Sequence, residues 1–98
     1  MSELKFTKWS LERIAAGKKF ATCRRTEHTG DKRVFAITAM PLRIVRDFLY
    51  AVEGAKSPAE YEKVWRSIHR GHFNPEQIVY VHFGDFRRNM LSEIMKDE

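Results

Sequence analysis

The chain has 98 residues, too few for two independent hydrophobic cores, so we expect a single domain. Its hydrophobic fraction of 43% and charged fraction of 32% exclude a disordered chain, and its longest apolar run, Phe48–Val52, is too short for a membrane span or a signal peptide. The formal net charge of +5 favours an anionic partner, with nucleic acid as the first candidate, and excludes none of the enzyme classes.

The first half of the chain predicts short elements separated by polar turns. Gly17 is expected to end the first helix, and Pro41 to end the second full strand. After Pro41 the pattern is ambiguous, because Leu42–Val45 fits a continuing strand while Arg46–Val52 fits a short helix. The predicted elements before Pro41 are an edge strand at Leu4–Phe6, a helix from Lys8 to about Ala16, and strands at Phe20–Arg25 and Val34–Ala39.

The second half has the clearest local signal, a capping box. Ser57 is the expected N-cap, Pro58 the first helical residue, and Glu60 the reciprocal capping residue. We expect this helix to run to about His69, followed by a strand at Gln77–Phe83 and a short helix at Arg87–Met95. Since strands and helices mix without regular β-α-β alternation, the fold is predicted to be α+β, with a small, mostly antiparallel sheet or partial barrel.

Cysteine and histidine offer little chemistry in this pattern. Cys23 has no cysteine partner for a disulfide, which indicates a reducing, cytoplasmic location, and we interpret it as core filler rather than a nucleophile. His69 and His72 have helical spacing, but Gly71 lies between them and should break the helix. We therefore predict no metal site and no cofactor.

The residues Gly17–Arg24 carry the most informative pattern, G-x-K-x-x-T-x-R at a predicted helix-to-strand turn. This motif resembles that of the ASCH domain, a branch of the PUA-like superfamily. Three further features agree with the family in order, and the resemblance covers about residues 4 to 83. These features are Gly30-Asp31, Glu53-Gly54 and the strand Ile78–Phe83.

The resemblance implies a more specific fold than the residues alone do. It implies a PUA-like open β-barrel of about five strands with two to three short helices, in a domain over residues 1–83 followed by a tail over residues 84–98. Only 21 residues separate Asp31 from Glu53, where the family usually has a further strand or hairpin. We therefore expect an abbreviated barrel.

The motif residues have two readings. On a strand, Thr22 and Arg24 share one face, while Lys19 belongs to the turn and must reach back over the strand. Without the resemblance, Lys19 and Arg24 are ordinary surface charges or partners of Glu53. The resemblance to ASCH-type amidohydrolases, which remove the acetyl group from N4-acetylcytidine, implies that Lys19 is the proton acceptor, Thr22 the nucleophile and Glu53 the proton donor.

The sequence favours a binding function. PUA-like domains generally recognise RNA, so we expect RNA or a modified nucleoside to bind a basic cleft at the motif. The alternative is a small metal-independent amidohydrolase acting on N4-acetylcytidine or a related nucleoside, or an RNA-cleaving variant. Trp9 and Trp65 are possible stacking surfaces, but their helical spacing is more typical of core residues. The expected RNA-binding residues are Lys18, Arg24, Arg25, Lys32 and Arg33.

Overall fold

The computed structural model describes residues 4–87, which form three helices and one three-stranded sheet. The prediction of an α+β fold is confirmed. Among the helices of these residues, none has the length and apolar character needed to cross a membrane. The elements are α1 (Lys8–Ala15), β1 (Ala21–Arg24), β2 (Val34–Pro41), α2 (Leu42–Phe48), α3 (Pro58–Ile68) and β3 (Ile78–Gly84).

The sheet has the order β1-β3-β2, and both pairings are antiparallel. The central strand β3 is buried on both faces, with Val79, Val81 and His82 fully inaccessible. The expected barrel of about five strands is not shown, because residues 4–87 form three strands in an unclosed sheet. The predicted edge strand at Leu4–Phe6 is wrong. That segment is held instead by side chains, since the Leu4 N–H donates to Asp31 Oδ2 at 2.9 Å.

The helix ends follow the capping signals. The Thr7 side chain accepts a hydrogen bond from the Ser10 N–H at the start of α1, and Gly17 follows its end with a φ of +74°. Ser57 accepts from the Glu60 N–H at 3.1 Å at the start of α3, as predicted. Glu60 in turn accepts from the N–H of Lys56, one residue before the cap.

The ambiguous segment after Pro41 is helical from Leu42, so its interpretation as a continuing strand is wrong. Leu42 and Val45 are both fully buried. Their three-residue spacing puts them on one face of a helix but on opposite faces of a strand, and only the helix buries both against the sheet. Pro41 still has an extended backbone, with ψ of 143°, and it is the N-cap of α2. The helix therefore begins directly after the last residue of β2.

Two groups of buried side chains form the core. The larger group lies between the sheet and the helices α2 and α3 and contains Cys23, Val81 and Trp65, which confirms that Cys23 is core filler. The smaller group joins Leu4, Ile14 and Phe86, so that Phe86, beyond β3, is fully packed. The predicted helix at Arg87–Met95 lies outside the described residues apart from Arg87.

His82 is the one fully inaccessible polar side chain of β3, and it connects three segments. Its Nε2 accepts a hydrogen bond from the His28 N–H at 2.9 Å. A neutral ring that accepts at Nε2 carries its proton on Nδ1, which therefore donates to the carbonyl oxygens of Tyr80 at 3.0 Å and Thr22 at 3.3 Å. The neutral imidazole thus joins β1, β3 and the loop that contains His28.

We predict that His82 makes the stability of the fold depend on pH. Burial holds the pKa of His82 below its ordinary value, so the unfolded chain binds more protons here than the folded chain. The stabilisation is fully present above about pH 6.5 and declines as the pH falls below that value. In urea unfolding, His82→Gln should cost about 1–3 kcal/mol at neutral pH.

The same measurement at mildly acidic pH tests the titration. The wild type should lose more of its free energy of unfolding than His82→Gln does. The exposed His72 is the matched control, and His72→Gln should retain the wild-type pH dependence. Equal losses in wild type and His82→Gln would contradict the assignment.

Candidate functional site

The backbone of the α2–α3 connection brings Glu53 to the motif turn. The Val52 carbonyl accepts hydrogen bonds from the N–H groups of Phe20 at 2.7 Å and Ala21 at 3.0 Å. Glu53 therefore lies directly beside Lys19, although the two are 34 positions apart in sequence. The expectation that Lys19 belongs to the turn before β1 is confirmed.

Lys19 and Glu53 form a buried ion pair. The Lys19 Nζ donates to the Glu53 backbone carbonyl at 2.9 Å and to its Oε1 at 3.3 Å. The exposed fractions of the two residues are only 4% and 3%. Burial raises the pKa of Glu53, and the positive charges of Lys19 and Arg24 oppose that rise. The pair is thus held in conditions that weaken the usual preference of a carboxyl group for its charged form.

Two polar atoms beside this pair form no hydrogen bond of standard geometry within residues 4–87, although the backbone N–H of Cys23 is near enough to lower the pKa of Glu53 and its thiol near enough to raise that of Tyr61. They are Glu53 Oε2 and the hydroxyl of Tyr61, and both are buried. Burial raises the pKa of Tyr61 well above its ordinary value, so its hydroxyl remains a hydrogen-bond donor at neutral pH. An unpaired buried polar group costs free energy, about 1–3 kcal/mol, which a ligand with complementary groups recovers.

A cavity of about 520 Å³ opens over the pair, and Lys19, Glu53 and Tyr61 all line it. Thr22 and Arg24 line it as well, which places the threonine and arginine of the motif at the same site. The Thr22 Oγ1 accepts a hydrogen bond from Arg24 Nε at 3.3 Å. Arg24 is further held by a bond from its Nη2 to the Lys5 carbonyl at 2.7 Å, so its guanidinium is fixed at the rim.

The expected basic residues separate into two groups. Arg24 and Arg25 line the cavity, whereas Lys18, Lys32 and Arg33 do not. Arg33 is engaged in the fold, since its guanidinium forms an ion pair with Asp31 and donates to the Leu4 carbonyl at 2.9 Å. The ion pair with Arg33 lowers the pKa of Asp31 to about 2. The basic residues between Lys18 and Arg33 are close in sequence, but they do not form one continuous surface.

Aromatic side chains form part of the cavity lining, here called the aromatic wall. Trp65, 6% exposed, is a core residue as expected, and yet it also lines the cavity. It stacks on the His69 ring with centroids 4.1 Å apart. Trp9 is half-buried, lines the same cavity, and carries the Arg13 guanidinium 5.2 Å from its ring centroid.

Tyr61 and His69 also line the site, a role that the sequence alone does not indicate. Tyr61 lies four residues before Trp65 on α3, a spacing that is also typical of core packing. The available signal is its hydroxyl, because a tyrosine in a buried stripe needs a partner for that group. Within residues 4–87, no three histidine, cysteine or acidic side chains gather in a way that could hold a metal ion.

Comparisons of this chain with models of known protein families, with curated proteins and with solved structures give no match. The resemblance of Gly17–Arg24 to the ASCH motif therefore stays a prediction. The chemistry of the site follows from its own side chains, which combine a buried ammonium–carboxylate pair, a threonine hydroxyl and an aromatic wall.

We predict that Gly54 is required for this arrangement. Its φ is +99°, and a Cβ there would approach Arg13 Cβ to 3.0 Å and Lys19 Cβ to 3.2 Å. Gly71 is the matched control, because its φ is +85° but a Cβ there would meet nothing within 4 Å. Gly71→Ala should cost only the left-handed backbone strain of about 1–2 kcal/mol, and Gly54→Ala should cost about 1–3 kcal/mol more from overpacking.

Urea unfolding of the two variants checks this difference, and the side-chain NMR signals of Lys19 report displacement at the site. Equal destabilisation by both substitutions would show that Gly54 supplies backbone freedom alone. A larger cost together with unshifted Lys19 signals would show that Arg13 moves and Lys19 does not.

Proposed function

We propose that this protein binds a nucleoside, free or as one residue of an RNA chain, in the cavity over the Lys19–Glu53 pair. The observation that carries the proposal is the buried pair in the cavity lining, in which Glu53 Oε2 has no hydrogen bond of standard geometry and can accept one from a ligand. The cavity volume of about 520 Å³ lies within the range of small-molecule sites, roughly 300–1,000 Å³. An extended strand of RNA would need an open groove, whereas one nucleoside needs a pocket of this kind.

The pair presents a hydrogen-bond acceptor next to a donor. Glu53 Oε2 is free to accept, and Lys19 uses its Nζ for two bonds and so has a third N–H to donate. The Watson–Crick edge of a base has the complementary pattern, a donor beside an acceptor. In cytosine these are the exocyclic amine and the ring nitrogen next to it, and carboxylates are known acceptors for that amine.

The aromatic wall supports the same ligand class. Single bases are recognised in proteins by stacking on aromatic rings combined with hydrogen bonds to their edges. Trp9 is half-buried and so has ring surface left for a ligand. Arg24 at the rim is suited to the ribose or an adjacent phosphate, since guanidinium groups bind such oxygens through paired donors.

We infer a fold assignment from the motif as well. The order of a helix, the Gly17–Arg24 turn, β1 and a late central strand supports an ASCH-type, PUA-like domain in which the sheet is shortened. The short chain between Asp31 and Glu53 supports the shortening, because it holds only β2 and α2.

We predict measurable binding of cytidine that depends on the unpartnered groups. Tyr61→Phe removes one oxygen without changing charge, and Glu53→Gln replaces the acceptor. Each should weaken binding about tenfold, the value of one hydrogen bond to a charged or buried group. Titration calorimetry with cytidine, uridine, adenosine and guanosine measures both the affinity and the base preference.

The control for Glu53→Gln is Glu76→Gln, because Glu76 is an exposed carboxylate outside the cavity. Removing the charge of Glu53 alone leaves the Lys19 ammonium buried, so the fold of each variant is checked by amide NMR spectra. Tyr61→Phe keeps the test decisive if Glu53→Gln fails to fold. Failure of all four nucleosides to bind would refute the proposal.

A second candidate, an amidohydrolase acting on N4-acetylcytidine, is favoured by one specific observation. The ammonium, hydroxyl and carboxyl groups expected as base, nucleophile and acid all line one cavity. The proton that Lys19 must lose to act as a base is the proton that Glu53 must gain to act as an acid. A transfer across the 3.3 Å contact produces both reactive forms at once.

The reaction then consumes only the acetylated nucleoside and one water molecule. The Thr22 Oγ attacks the acetyl carbonyl carbon while Lys19 takes the hydroxyl proton. The bond from that carbon to N4 breaks, and Glu53 gives its proton to the leaving amine, which releases cytidine. Water then hydrolyses the acetyl ester on Thr22 to acetate and restores the hydroxyl.

We predict that Thr22→Val abolishes this turnover and that Thr38→Val does not, since Thr38 is exposed on β2 outside the cavity. The rate should show a bell-shaped pH dependence, because the reactive state has one proton on the Lys19–Glu53 pair. Release of cytidine measured by chromatography tests both points. Turnover that survives Thr22→Val would refute the covalent mechanism, while tight binding without turnover would leave the binding function alone.

A further inference from the structure

A second cavity of about 560 Å³ adjoins the first. Arg25, Trp65, Ile68 and His69 border both cavities, so the stacked Trp65–His69 pair forms their common wall. The rest of the second cavity is polar and includes Arg70 and His72. The two cavities are therefore neighbours on either side of this pair.

The charged groups of the second cavity are all cationic. Arg25 and Arg70 line it, and no carboxylate does so within residues 4–87. Neither arginine forms an ion pair or side-chain hydrogen bond in the described part of the chain. By contrast, Arg46 and Arg66 pair with Glu62. Two unpaired guanidinium groups at one concave surface form a site for an anion.

The backbone at Arg70 is unusual. Arg70 has a φ of +57°, and it is the sole residue other than glycine with a positive φ among residues 4–87. A left-handed conformation costs an ordinary residue roughly 1–2 kcal/mol, and glycine or asparagine would adopt it more easily. A charged residue is thus held in a strained conformation where its side chain lines the cavity, which is typical of functional positions.

His69 can become a third cationic group of this cavity when an anion binds. Burial, together with the nearby charges of Arg25 and Arg24, holds the pKa of His69 below its ordinary value. An anion placed among them would reverse the balance and favour a protonated, donating imidazole.

We propose that the second cavity is a phosphate subsite, so that a phosphorylated nucleoside is bound in preference to a free one. This inference rests on the proposed function, because the base and sugar occupy the first cavity. The phosphate has two possible sources, the terminal phosphate of a mononucleotide or the phosphodiester of an RNA chain. Both are recognised by the same chemistry, paired guanidinium donors around a tetrahedral anion.

Arg70→Gly is the decisive variant. It removes one guanidinium from the second cavity without touching the first, and glycine suits the left-handed backbone. Cations near the C-terminus of a helix are also stabilised by its dipole, so urea unfolding of Arg70→Gly separates a stability role from a binding role. The charge-matched control is Lys63→Gln, an exposed lysine of α3 that lines neither cavity.

The experiment is a calorimetric titration of each protein with cytidine, cytidine 5′-monophosphate, cytidine 3′-monophosphate and the dinucleotide CpC. At least one phosphorylated ligand should bind the wild type about tenfold tighter than cytidine. Arg70→Gly should lose that gain and keep the affinity for cytidine, while Lys63→Gln keeps both. A gain shared by CpC indicates the phosphodiester, and a gain confined to a mononucleotide indicates a terminal phosphate.

Equal affinities for cytidine and all phosphorylated ligands would overturn the subsite and leave the proposed function intact. If Arg70→Gly and Lys63→Gln lose equal amounts of the affinity gain for phosphorylated ligands, the subsite is also overturned. The gain would then come from the overall positive charge of the protein and not from the second cavity. If cytidine itself does not bind, the proposed function fails, and inorganic phosphate decides the subsite alone. Phosphate-induced shifts of the backbone amides at residues 69–72 that vanish in Arg70→Gly would support it, and their absence in the wild type would overturn it.

Discussion

A buried ammonium–carboxylate pair is the contact on which the rest of the site depends. Lys19 and Glu53 come from distant parts of the chain, and they meet because the Val52 carbonyl binds the first amides of β1. Removing either partner of a buried pair leaves an unpaired charge, which costs about 3–5 kcal/mol. The α1–β1 turn and the α2–α3 connection are therefore bound into one unit, and the cavity exists only where that unit is intact.

The arginines of this protein fall into two groups, those with a carboxylate partner and those without one in the described residues. Arg33, Arg46 and Arg66 have carboxylate partners and hold loops and helices in place. Arg25 and Arg70 have none in the described residues and border the second cavity. The net charge of the chain thus overstates the charge available to a ligand. The two unpaired arginines of the second cavity come from separate parts of the chain, since Arg25 directly follows the motif and Arg70 lies just after α3.

The sequence predicts the bounds of most helices and of the three strands well, and the packing between them poorly. Capping signals such as Ser57 and Gly17 act within a few residues, so α1 and α3 were placed nearly to the residue. The helix α2 was placed late because its first turn is decided by burial against the sheet, which local propensity does not contain. At the site, Lys19, Thr22 and Glu53 follow from the motif and its resemblance, but Arg70 does not. Its backbone conformation and its place beside the second cavity are products of the tertiary structure.

Gly54 links three parts of the molecule through the absence of a side chain. Arg13 of α1 and Lys19 of the turn both pack where its Cβ would lie, and Glu53 is its neighbour in the chain. Because φ at position 54 is +99° and the neighbouring atoms include the Cβ atoms of both Arg13 and Lys19, a smaller residue at position 13 would not make room for a side chain here. Position 54 is therefore restricted to glycine, and in related chains a glycine at this place would mark the boundary of the site without any knowledge of the ligand.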